Sequence, residues 1–319
     1  MAARLVVAAQ KQPRTLAPPP APISAPSYEA VRRFSESLCE PLVTEDFVIQ
    51  SMPDVSPTRW HLAHTTWFFE TLVLSKYVPN YRPYHRDFVY LFNSYYNSIG
   101  EQFPRSNRGL LSRPTVKDIF EYRAYVDEHM RRLLTRQDVG ESSEMASVIR
   151  IGLNHEQQHQ ELILTDIKHM FSCNPLYPAY RGADPASGRS TAPLQWMSFE
   201  EGPRSIGSTG EGFSYDNEHP RHKVLVHAFK LATRLITNAE YLEFIEDGGY
   251  DRPEFWLSEG WSTVREQGWR APLYWEKREE DWWNFTLSGI RPIDPAEPVC
   301  HVSDFEADAV ARWAGAALP

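Results

Sequence analysis

The chain has 319 residues, enough for two domains with cores of their own, and a formal charge of −9. Nucleic acids and anionic membranes require a basic face, so an acidic surface of mixed sign excludes both as expected partners. Cys39, Cys173 and Cys300 lie far apart with no C-x-x-C pair, which excludes a disulfide framework and a thiolate zinc site.

The apolar run at residues 1 to 9 is too short for a signal peptide, and no stretch is long enough to span a bilayer, so a cytoplasmic protein is expected. Residues 1–27, rich in proline and alanine with Pro18-Pro19-Pro20, read as a disordered leader. From Tyr28 the pattern is helical, with Val31, Phe34, Leu38 and Leu42 on one face. Ser56-Pro57 reads as an N-cap followed by proline at the first helical position, opening a helix from Trp60 to about Tyr77. Trp60, His64, Trp67 and Thr71 share a stripe, which favours His64 as an inward ligand. His61 is its i−3 neighbour, and periodicity does not separate the two. Between Pro79 and Pro114 the chain is aromatic and carries Tyr95-Tyr96, Arg105 and Arg108. Tyrosine hydroxyls can donate a proton and a guanidinium can grip a carboxylate in two-toothed fashion. By themselves these residues fit core aromatics and a solvated face better.

Thr115 with Asp118 forms a capping box for a helix that buries Val116, Ile119, Phe120, Val126, Met130 and Leu133, broken at Gly140. The next helix, from about Ser142 to Phe171, carries His155 and His159 at i and i+4, on one face and within reach of one ion, with Gln158 beside them. His155-Glu156-Gln157-Gln158-His159 matches the H-E-x-x-H pattern of zinc metalloproteases, in which the glutamate is the general base. Its extended form fails, since Leu162 and Thr165 stand where glycine and a third histidine belong, so a third ligand must come from elsewhere. Residues 28–180 thus read as an all-α four-helix bundle with a metal site between facing helices. Residues 181–319 read as an α+β domain: a strand over Lys223–Leu231, a helix from Asn238 to Ile245 capped by Thr237, six tryptophans from Trp256 to Trp283, and a closing helix from Val302 to Ala314.

The first half, with Leu62-Ala63-His64 and His155-Glu156-Gln157-Gln158-His159, resembles the DinB-like domain of the ergothioneine-pathway sulfoxide synthases, the EgtB family. In the second half, Tyr215-Asp216-Asn217-Glu218-His219-Pro220, Thr237-Asn238-Ala239-Glu240-Tyr241 and Pro298-Val299-Cys300-His301 resemble that family's formylglycine-generating-enzyme-like (C-type-lectin-like) domain. The resemblance implies a non-haem Fe(2+) enzyme that uses O2 to join hercynine to cysteine or γ-glutamylcysteine as a sulfoxide. It assigns His64, His155 and His159 to the metal and Gln158 to the hercynine imidazole. The paired tyrosines resemble Tyr95 and Tyr96, and the carboxylate-holding arginines resemble Arg105 and, after it, Arg108. In the family the last motif runs on into a segment with a catalytic tyrosine and further substrate-binding groups, so a chain ending at Pro319 is expected to bind iron without appreciable turnover. Asp304 also departs from the family's usual aromatic. An ovothiol-type synthase acting on histidine, a zinc metalloprotease and a non-catalytic metal-binding remnant are the alternatives.

Overall fold

The computed structural model describes residues 23–136, 144–182 and 191–319. Helix α1 (Ala25–Ser37) begins three residues earlier than expected, because the Ser24 hydroxyl accepts the Ser27 N–H while the Ser27 hydroxyl accepts the Ser24 N–H. The rest of the expected leader, residues 1–22, lies outside the described residues. The expected inward row is also displaced: Phe34 is exposed, while Tyr28, Arg32, Ser35 and Cys39 face the core. The cause lies across the interior, where a buried carboxylate, Glu156, draws Arg32 and Ser35 towards it.

Every residue of helix α2 (Thr58–Phe69) is buried, so it runs through the bundle's centre. It continues through a π-helical turn (Glu70–Leu74) into α3 (Ser75–Tyr77). Pro57, not Ser56, occupies the N-cap, which frees the Ser56 side chain for the site described below. A single helical turn, α4 (Phe88–Leu91), and a 3-10 turn (Arg105–Leu110) lead to α5 (Val116–Leu134). Helix α5 opens on the expected Thr115–Asp118 capping box and buries Ile119, Tyr122, Arg123, Val126, Met130 and Leu133. Helix α6 (Glu144–Ser172) carries the paired histidines; the expected break at Gly140 and start at Ser142 lie outside the described residues.

Helices α2 and α6 approach closely at Gly152, where an added Cβ would lie 2.7 Å from ring carbons of both Phe68 and Phe69. Alanine is the better helix former by about 1 kcal/mol. Gly152→Ala is nevertheless expected to destabilise the protein, since overpacking a filled core costs about 1–3 kcal/mol. Urea unfolding checks the sign: a variant that is more stable would mean the two helices separate freely.

The second module is antiparallel throughout its described strands. Strands β1 (Trp196–Phe199) and β2 (Gly202–Ile206) pair with β4 (Phe229–Ala232) and β3 (His222–Val226) respectively. The single strand expected over Lys223–Leu231 is therefore two. Both sides of the ribbon are interrupted at the same level, at residues 200–201 and 227–228, with Phe199 and Phe229 stacked at 4.8 Å beside the break. Helix α7 (Asn238–Glu246) is capped by Thr237 as expected. It packs with α8 (Ser258–Gln267) and α9 (Asp304–Trp313) around Phe244, Trp256 and Val310. A three-stranded sheet, β5 (Trp275–Arg278), β6 (Asp281–Thr286) and β7 (Gly289–Pro292), packs Phe285 against Ile163, Ile167 and Phe171 of α6. The long helix is thus shared: its middle carries the histidines and its C-terminal part is gripped by the second module. No helix among the described residues is long and apolar enough to cross a membrane.

Candidate metal centre

Three imidazoles meet between α2 and α6. The Nε2 atom of His155 lies 3.2 Å from Nε2 of His64 and 3.1 Å from Nε2 of His159. The stripe of large side chains on α2 holds the first ring: His64 stacks on Trp60 at 4.6 Å and on Trp67 at 5.6 Å, nearly parallel to both. His64 Nδ1–H donates to the Phe92 carbonyl at 2.6 Å, leaving Nε2 a bare lone pair. His159 reaches the same state by a longer route. Its Nδ1 lies 2.8 Å from Nδ1 of His61, whose Nε2 lies 2.9 Å from Asp166 Oδ2. A carboxylate only accepts, so His61 donates from Nε2 and accepts at Nδ1 the hydrogen bond donated by His159 Nδ1–H. His61 therefore stands directly behind one of the rings of the site.

Burial, followed by the neighbouring imidazoles, pushes His64 and His159 well below the usual histidine range, and burial pushes His155 down to about 4. All three rings are thus held neutral, the form that binds a metal. The Nε2 lone pairs of His64 and His159 converge on Nε2 of His155 about 3 Å away, and the buried Nδ1 of His155 has no partner. A divalent transition ion would supply the missing positive partner, and an all-imidazole donor set suits iron as well as zinc.

Glu156, one position past His155, faces the opposite way. Its carboxylate, fully buried, accepts from Arg32 Nη1 at 2.9 Å, Arg123 Nη2 at 2.6 Å and Ser35 Oγ at 2.7 Å. Burial opposes its ionisation, but Arg123 and Arg32 prevail and hold the carboxyl down at about 2. Such a group cannot act as the general base of an H-E-x-x-H protease, because it neither faces the metal nor takes up a proton near neutrality. This corrects the protease reading of the motif.

The rings open onto a cavity of ≈380 Å³, of a size for a small-molecule site. Gln158, Leu162, Tyr95, Tyr96, Arg105 and Arg108 line it together with the ligands. The two arginines differ. Arg105 is exposed, donates to Tyr95 Oη at 2.8 Å, and also hydrogen-bonds the Asp54 carbonyl. Arg108 is buried, with its guanidinium 3.4 Å from the centre of the Trp60 ring. It donates only to the hydroxyls of Ser56 at 2.9 Å and Ser94 at 3.0 Å, and its Nε has no partner. Burial and then the Arg105 charge push the Arg108 pKa down, the mark of a cation with no counter-ion. Tyr95 stands exposed at the rim in the left-handed region, φ 64°, which a side chain adopts only where its surroundings enforce it. Tyr96 lies half-buried against Trp67 and Phe68; burial, then nearby Tyr215 from the second module, raises its pKa and keeps its hydroxyl protonated. Ser56, read from the sequence as an N-cap, and Tyr215, read as part of a second-domain motif, were not expected at this site, and nor was Ser94. Asp166 did carry a signal, since it lies seven residues past His159, two helical turns along the same face.

Residues 27–163 match the DinB superfamily and residues 185–319 match the sulfatase-modifying factor enzyme 1-like domain. The chain is 31% identical to a hercynine oxygenase from Mycolicibacterium smegmatis over 272 residues, which cover 85% of this chain and 60% of that protein. It is 37% identical to the hercynine oxygenase of Mycolicibacterium thermoresistibile over 169 residues, 52% of this chain and 36% of that one. The chain is also similar to a formylglycine-generating enzyme from Streptomyces coelicolor, 31% identical over 133 residues, 34% of this chain and 38% of that protein. The chain thus spans less than two thirds of the length of these relatives.

Proposed function

We propose that the chain is a member of the EgtB family, in which a DinB-superfamily bundle precedes a sulfatase-modifying-factor-like domain, and that it serves ergothioneine biosynthesis by joining hercynine to cysteine or γ-glutamylcysteine as a sulfoxide. The observation that carries this reading is the meeting, in one cavity, of three neutral imidazoles and a buried guanidinium without a counter-ion. His64, His155 and His159 would hold Fe(2+). When bound, the ion would supply the O2 chemistry, a redox role that zinc lacks. Three imidazoles would leave the ion room for substrates.

The protein's own groups have the remaining tasks. Arg108 would grip the carboxylate of the thiol substrate, its fork fixed by Ser56, Ser94 and the Trp60 face. Gln158 would hydrogen-bond the hercynine imidazole. Tyr96 Oη, kept protonated, would donate to a substrate atom in the cavity, and Tyr95, paired with Arg105, would close the rim. Leu162 and the Trp60 indole, which line the cavity, would limit the water around the reacting atoms.

Two measurements test this. Anaerobic loading with Fe(2+) should give one ion per chain, and hercynine should then bind more tightly than histidine; a preference for histidine would favour the ovothiol-type reading. In the whole protein, mass spectrometry should detect the sulfoxide from hercynine, a thiol and O2. The arginines provide a sharper check. Arg108→Ala is expected to weaken thiol binding at least about 30-fold, as removal of one member of a buried charge pair costs about 2–5 kcal/mol. Arg105→Ala removes an exposed charge worth at most about 1 kcal/mol, and hercynine binding should stay near that of the parent in both. Titration calorimetry with cysteine and γ-glutamylcysteine reads the difference. Equal losses for both substrates would mean that Arg108 only supports the wall.

A further inference from the structure

We infer that His61 and Asp166 form a positioning pair that fixes the tautomer of His159, so that its Nε2 presents a lone pair and not a proton to the metal. The inference rests on the three-histidine site proposed above. Free neutral histidine prefers its proton on Nε2, the wrong atom for a ligand that binds through Nε2. An acceptor at Nδ1 reverses that preference; His155 has none, its Nδ1 being buried without a partner, so the question turns on the other two.

His64 has one in the Phe92 carbonyl. His159 lies in the middle of α6, where the surrounding carbonyls are taken by the helix, and its Nδ1 meets an imidazole instead. An imidazole can donate or accept, so by itself His61 would fix nothing. Asp166 decides between the two: as an acceptor at 2.9 Å it keeps the proton on His61 Nε2, which makes His61 Nδ1 an acceptor. Asp166 Oδ2 is itself anchored by the Ser56 N–H at 2.9 Å. The chain of bonds runs Asp166, His61, His159, and its elements are interleaved: His61 comes from α2, while Asp166 and His159 lie two turns apart on α6. His61 is 3% exposed, so water does not compete for its ring. The arrangement carries a carboxylate's orienting effect to a ligand that the carboxylate does not touch.

The test uses the full chain with Co2+ as the metal probe and chelator competition as the measure of affinity. His61→Leu keeps the volume apolar and removes the acceptor; cobalt binding should weaken by about 10–100-fold, the usual effect of losing a group that orients a ligand. His61→Asn places an amide oxygen near the former Nδ1 and should restore binding close to that of the parent. Equal losses in the two variants would overturn the inference in favour of packing. Asp166→Ala leaves the ligands and His61 in place and should also weaken binding, so the test survives if His61→Leu fails to fold. A second readout needs no metal. In long-range proton–nitrogen spectra of the metal-free protein labelled at histidine, the His159 proton should sit on Nδ1 in the parent and move to Nε2 in the Asp166→Ala and His61→Leu proteins. A parent with that proton on Nε2 would overturn the inference. A parent that takes up no cobalt would instead refute the metal site, while these spectra still decide the role of the pair.

Discussion

Replacing His64, His155 or His159 singly with alanine should reduce iron uptake to background. Losing a group that merely orients a ligand costs about 10–100-fold in metal affinity, so losing one of three protein ligands should cost more than about 100-fold. The loss should not depend on which helix supplies the histidine, because the Nε2 atoms are mutually adjacent, at 3.1 and 3.2 Å. His169→Ala is the control. It lies on the same helix ten residues past His159, about 15 Å along the axis at about 1.5 Å per residue, and its Nδ1 is paired with Ser51 at 2.6 Å. Iron per chain after anaerobic loading, with circular dichroism to confirm folding, gives the answer. Full occupancy in His64→Ala would transfer the third position to another group and remove α2 from the site.

The second large effect falls on stability. Glu156→Ala should destabilise the helical module by about 3–5 kcal/mol, since Arg32 and Arg123, both almost fully buried, would lose the carboxylate between them. At roughly 2–4 °C per kcal/mol, the melting temperature should fall by about 6–20 °C. Glu156→Gln should recover only part, because an amide offers hydrogen bonds without charge. The acid side follows from the same group. Its carboxyl, with an ordinary value of 4.5, is held at about 2 in the folded protein. Its stabilising contribution is thus complete above pH 4.5 and is lost as the pH falls through about 2. Thermal unfolding of parent and variants across that range measures it. In the protease reading Glu156 faces a metal-bound water, and its removal would abolish hydrolysis at unchanged stability; a Glu156→Ala protein as stable as the parent would revive that reading.

What the sequence determined by itself was whatever is local to one helix or one turn. The i, i+4 spacing of His155 and His159, the capping boxes at Thr115 and Thr237, and the change from helical to strand patterning near residue 180 follow from backbone geometry that any helix or hairpin shares. The stripe that placed His64 with Trp60 and Trp67 is of the same kind and became the stack that holds the ring. Tertiary structure decided the rest, because periodicity places residues on a common face without saying which way that face turns. Helix α1 presents Arg32 and Ser35 inward instead of Phe34, owing to a carboxylate 124 residues away from Arg32 in sequence. That same bond withdraws Glu156 from the metal despite its place in a metalloprotease motif. Arg105 and Arg108 are indistinguishable as letters three apart; only the fold spends one on the Tyr95 hydroxyl and the Asp54 carbonyl and buries the other beside the cavity without a counter-ion. His61 and His64 are likewise one turn apart on a helix buried on every side, and which ring meets the metal and which supports His159 depends on the facing atoms of α6, since a buried polar group takes its role from the partner that satisfies it.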